Sequence, residues 1–212
     1  MTQSTIGSGS APGVQAGKLI EEGLAASQKG DSALAAQIFD QVVELAPAWY
    51  IPHFLLASEY AAAGDLHRAE AFFAQTVLLA PEFHIARYQL GLLQFSSGRP
   101  QIALVTLAPL ESAPPDQPFS HLLKGFQALA AGRLKDATAH FKNGVLLVRA
   151  NPALESDILK ILDSIKQQLG SPLAADEHSL KALNTADPQQ LENAKGVTSH
   201  VLLSNYAKKT VH

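Results

Sequence analysis

Cysteine is missing from this 212-residue chain, and with it go disulfide frameworks, thiolate zinc sites and cysteine nucleophiles. The gap fits the reducing cytoplasm, which is the expected location. Basic charge is not in excess either. Lys and Arg number 16 against 19 Asp and Glu, a net charge of −3, so the chain carries no electrostatic footprint for nucleic acid or anionic lipid. No stretch reaches the roughly 18 uninterrupted apolar residues of a membrane span, and no membrane insertion is expected. Residues 1–15 hold no Lys, no Arg and no apolar run, which leaves no readable targeting signal. Their Ser, Thr, Gly, Pro and Gln content reads as a disordered leader outside the fold.

Motifs that carry chemistry are absent as well. No phosphate loop or dinucleotide fingerprint occurs, and Gly7-Ser8-Gly9-Ser10 is a flexible stretch rather than a nucleophile elbow. Of the eight histidines, none shows the HxxxH or HxxH spacing of a zinc site. His53 and His121 lie two repeats apart, and His67, His84 and His140 fall on different helix faces. The acids Glu21, Glu22, Asp40 and Glu44 are spaced as solvated helix faces. The expectation is a protein that is not an enzyme and holds no cofactor and no metal.

What the chain does contain is a period. Gly30, Gly64, Gly98 and Gly132 recur every 34 residues, as do Ala35, Ala69, Ala103 and Ala137. Phe39, Phe73, Leu107 and Phe141 form a third series and Pro47, Pro81 and Pro115 a fourth. Interlocked series at this spacing mark a tandem helical array. The glycine ends one helix in a left-handed conformation, as in Gly30-Asp31 and Gly64-Asp65. The alanine lets two helices approach, the large residue four positions on fills the gap between them, and the proline stops the second helix. Each unit is therefore a helical hairpin of a helix A and a helix B.

The second unit reads His53-x2-Leu56-Ala57-x2-Tyr60, then Ala69-x3-Phe73 and Pro81, and it resembles the tetratricopeptide repeat. Its opening position is held by Leu19, His53, Arg87 and His121 in turn, where that family commonly has a large apolar residue, which weakens the helix A seam slightly. The resemblance implies an all-α, right-handed superhelical array of four hairpins over 16–49, 50–83, 84–117 and 118–149. From Asn151-Pro152, an apolar face of Leu154, Ile158, Ile161, Leu162, Ile165 and Leu169 predicts a capping helix over 152–170. Residues 171–212 form a tail, either disordered or docked as an amphipathic helix beginning near Asp187-Pro188. Pro109 should break helix B of the third unit near Ala108 and leave a loose, extended link to the fourth.

The resemblance also implies that the A helices line a concave groove. Its ligand-facing positions here are Ile20 and Leu24, then Ile51 and Phe54, then Ile85, Tyr88, Leu92 and Phe95, and last Phe119, Leu122, Phe126 and Leu129. The third and fourth A helices are apolar at i, i+3, i+7 and i+10 in addition to the seam with helix B. That second face, if exposed, exceeds the patch a soluble monomer tolerates. Its expected occupant is an apolar segment of a partner polypeptide, a second copy of the chain or the chain's own tail. The carboxylate clamp of chaperone-binding relatives is not present, since Ile20, Leu24, Ser58, Ile85 and Gln89 stand at the corresponding places. The expected function is an adaptor or chaperone, similar to bacterial secretion chaperones of the tetratricopeptide class. The alternative is a structural or regulatory subunit of a larger complex or homo-oligomer that uses the same face.

Overall fold

The computed structural model describes residues 13–148 and 151–170; the calls made on residues 1–12 and on the tail 171–212 lie outside them. The described residues are helical throughout. Inner helices α1 (Val14–Gln28), α3 (Tyr50–Ala62), α5 (His84–Ser96) and α7 (Phe119–Ala130) pair with outer helices α2 (Ser32–Leu45), α4 (Leu66–Leu79), α6 (Pro100–Leu107) and α8 (Leu134–Leu147). A last helix, α9 (Pro152–Gly170), follows. The first helix begins at Val14, two residues inside the stretch read as leader.

The periodic glycines do what their spacing requires. Gly30, Gly64, Gly98 and Gly132 have φ of +85°, +79°, +74° and +71°. In every unit the amide after the glycine bonds back to the carbonyl five residues earlier, Asp31 to Ala26 at 3.0 Å and Arg133 to Ala128 at 2.9 Å, for example. This double-bonded ending satisfies carbonyls that the helix terminus orphans. Asp31 and Asp65 then cap the next helix, their carboxylates accepting from Leu34 N at 3.1 Å and Arg68 N at 3.0 Å.

Between the paired helices lie Ala35, Ala69, Ala103 and Ala137 with Phe39, Phe73, Leu107 and Phe141, all buried. Adjacent units are joined by polar contacts as well as packing. Glu70 of α4 accepts from Arg99 at 3.0 and 2.7 Å and from Gln94 at 3.2 Å, and the Arg99 bonds hold its carboxyl below the usual range.

Two local expectations need correction. Pro109 does end α6 at Leu107, but the chain continues as a 3-10 turn over Ala108–Ser112. Leu110 of that turn is fully buried, so the link is packed rather than loose; a 3-10 turn keeps hydrogen bonding where proline forbids the α pattern. The polar residues opening each A helix also do not weaken the seam. With its proton on Nε2, His53 donates to Pro47 O at 2.9 Å, and Arg87 donates to Pro81 O at 3.2 Å and to Thr106 O at 3.3 Å. Both close the carbonyl of the proline six residues earlier.

Candidate interaction surface

In each hairpin the side of the inner helix facing its outer partner is set by one position. A Cβ on Gly23 would lie 2.4 Å from Phe39, on Gly91 2.4 Å from Leu107 and on Gly125 2.8 Å from Phe141, while Ala57 fills the same place in the second unit. Residues about 160–200° around the helix from these positions look away from the outer layer. Gln89 of α5 is one of them.

The twelve groove residues do not form an exposed stripe. Ile20, Leu24, Ile51, Phe54, Ile85, Tyr88, Phe119, Leu122 and Phe126 are all buried, and only Leu92, Phe95 and Leu129 are half-buried. The aromatic members are occupied with one another. Tyr88 of α5 lies 6.5 Å from Phe119 and 6.3 Å from Phe126 of α7, Phe95 lies 5.0 Å from Phe126, and Phe126 meets Phe141 edge-on at 5.3 Å. The second apolar face of α5 and α7 is thus, for these rings, the seam between successive inner helices. Helix α3 is buried continuously from Ile51 to Glu59, with Phe54 between Phe73 and Phe83 at 5.8 and 5.1 Å.

Helix α9 accounts for part of this burial. Asp157, 5% exposed, accepts from Gln89 Nε2 at 3.1 Å across 68 residues of sequence. Burial raises the Asp157 carboxyl above its ordinary value, against the Gln89 bond and the charge of Lys160. Burial also pushes the Tyr88 hydroxyl well up, with the Asp157 charge adding to it. A second buried acid, Glu59, accepts from Ser27 Oγ at 2.5 Å and links α1 to α3. Neither acid stood out in the sequence, because both partners lie at least 32 residues away and no local pattern announces such a pair.

The structure also brings together two histidines that were read as separate. The rings of His121 and His140 lie 6.3 Å apart between α7 and α8. Among the described residues no group of three or more His, Cys, Asp and Glu is placed to hold a metal ion. Burial first, then the nearby His140 and Lys124, lowers the His121 pKa. The folded chain therefore prefers neutral His121, and the unfolded chain takes the proton first as the pH falls past the ordinary value of about 6.5. Stability should drop between pH 7.5 and 5.5. In urea titrations His121→Phe should flatten that slope; an unchanged slope would assign the pH dependence elsewhere.

Helical hairpins stacked so that each packs on its neighbours define a solenoid repeat protein. Its units are tetratricopeptide hairpins, and solved structures share the fold. MamA from Desulfovibrio magneticus RS-1, from residue 41 onward, aligns with a TM-score of 0.58 at 19% identity, covering 88% of this chain and 100% of that one. A second MamA structure gives 0.53 at 17% identity over 82% and 99%. PilF of Pseudomonas aeruginosa gives 0.54 at 15% identity over 92% and 90%. No protein-family model matches the sequence, and a search of curated proteins returns no match. Among the described residues no helix is long and apolar enough to cross a membrane.

Proposed function

We propose that this chain is a non-enzymatic protein-interaction module, an adaptor or chaperone of the cytoplasm, that takes an apolar segment of a partner polypeptide on its concave side. The observation that carries the reading is the set Leu92, Phe95 and Leu129. These three large apolar side chains of α5 and α7 remain half-open next to a wall of buried aromatic rings. Anchors of this size contribute about 1.5–3 kcal/mol each when fully buried, before the ordering costs of association. The nine buried members of the stripe then act as the frame that holds these anchors rather than as direct contacts.

A photo-reactive phenylalanine analogue placed at Phe95 in the native cell should crosslink one discrete partner. Leu92→Asp with Leu129→Asp in the same chain should abolish that product. The matching probe at Leu78, 73% exposed on outer helix α4, is the control. Crosslinks from Leu78 and none from Phe95 would favour the second reading, a structural or regulatory subunit docked through its outer surface. That alternative draws on Leu78, Val105 and Leu146, which are 73%, 77% and 78% exposed on outer helices.

A further inference from the structure

Helix α9 starts in phase with the repeat, since Pro152 follows Pro118 by 34 residues, and so takes the place of an inner helix in a fifth unit. Two features set it apart from the other inner helices. It runs for 19 residues where α3, α5 and α7 have 13, 13 and 12, about 9 Å longer at 1.5 Å per residue. It also touches the third unit. In a stacked array each unit contacts only its neighbours, yet Asp157 of α9 takes a hydrogen bond from Gln89 of α5. Gln89 lies on the side of α5 turned away from α6, two positions from Gly91 and thus about 200° around the helix. A helix that reaches it from the fifth unit has left the stack and lies over the inner face.

We propose that α9 is a built-in ligand of the concave face, held where a partner's helix binds and displaced by it. The proposal rests on the reading of that face as the binding side. The chemistry of the matching partner follows from what α9 presents. Its buried residues are Ala153, Leu154, Asp157, Ile158 and Ile165, an aliphatic face with one carboxylate set among it. The fitting partner is an amphipathic helix with a small and a large aliphatic residue, then, three positions after the large one, an acid followed by a β-branched residue. The acid takes the Gln89 amide, and the aliphatic residues cover the inner rings. Helix α9 is suited to leaving. Its far side carries no further hairpin among the described residues, with Leu159 and Leu169 at 45% and 44% exposure, and docking it buries a carboxylate whose desolvation opposes the contact.

The test uses a labelled synthetic peptide of residues 151–170 added to the full chain, read by fluorescence anisotropy. Wild type, with its face occupied, should bind weakly. Ile158→Asp, which ejects the chain's own α9, should bind the wild-type peptide about tenfold tighter or better, the gain expected when an internal competitor that occupies the site nine-tenths of the time is removed. Adding Gln89→Ala to that variant should reverse most of the gain, and so should an Asp157→Ala peptide. Equal affinity for wild type and Ile158→Asp, or a gain indifferent to Gln89→Ala, would overturn the proposal. Hydrogen exchange on the same variant supplies a second reading. Protection retained through α1–α8 supports a displaceable helix, whereas protection lost along the array makes α9 a fixed part of the core and refutes it. A Phe95 probe that crosslinks its partner while the released chain ignores the peptide would remove the role of α9 and keep the binding face. A Phe95 probe with no product would remove the face itself.

Discussion

Replacing Phe126 by alanine should destabilise the chain by about 3–5 kcal/mol, the range for truncating a fully buried phenylalanine. Phe126 is 1% exposed and sits where three units meet in space. The rings of Tyr88 and Phe95 reach it from α5 and that of Phe141 from α8. Truncation leaves a cavity against all three, and aromatic pairs contribute beyond the area they bury. Because stability in a repeat array is roughly a sum of unit and nearest-interface terms, the loss should not spread evenly. The α5–α8 region should open first, while α1–α4 stay protected, so that urea unfolding followed by circular dichroism becomes broader than in wild type. Phe95→Ala, at a half-buried site, should cost clearly less. The contrast separates two roles for this residue. A groove contact would lose partner binding with little change in stability, and an unchanged urea midpoint for Phe126→Ala would restore that view. For the same reason Phe126→Asp is a poor probe of binding, since it introduces an unpaired charge into the seam between helices.

Much of the fold is legible in the chain because its cues are local. The left-handed glycine, the capping Asp31 and Asp65 and the stopping prolines each act within a few residues, and the 34-residue period repeats them until chance is excluded. Asn151-Pro152 is legible in the same way, with Asn151 Oδ1 accepting from Leu154 N at 3.1 Å. The concave side is a different case. Periodicity reports that α5 and α7 have two apolar faces, but not whether the second meets solvent or the next inner helix. Tyr88 and Phe119 carry the same pattern under either arrangement, and the distance between successive inner helices decides. The bond from Gln89 to Asp157 is further out of reach, because it depends on where a helix 68 residues later comes to lie. His121 and His140 illustrate the remaining limit. Helical spacing places each on its own helix, and only the crossing of α7 with α8 brings their rings together.

One series was present in the sequence and carries more weight than its residues suggest. Gly23, Ala57, Gly91 and Gly125 stand 34 residues apart, opposite Phe39, Phe73, Leu107 and Phe141. Gly91→Ala should cost about 1–3 kcal/mol through overpacking, partly offset by alanine's better helix propensity, roughly 1 kcal/mol over glycine. A net loss is expected because the added Cβ would meet both Cγ and Cδ2 of Leu107 at 2.4 Å. Leu107 has no room to yield, being fully buried at the end of the shortest outer helix and followed by the 3-10 turn. The sign test is a double variant. If overlap is the cause, Gly91→Ala combined with Leu107→Ala should be less destabilising than the sum of the two single changes, a coupling visible in urea midpoints. Ala57→Gly gives the complement: the second unit is already spaced for a methyl group there, so removing it should destabilise through lost packing and lost propensity together. Additive energies at Gly91 and Leu107 would mean that α5 and α6 separate freely, and the rigid helix-to-helix spacing on which the inner face depends would have to come from the seam between units instead.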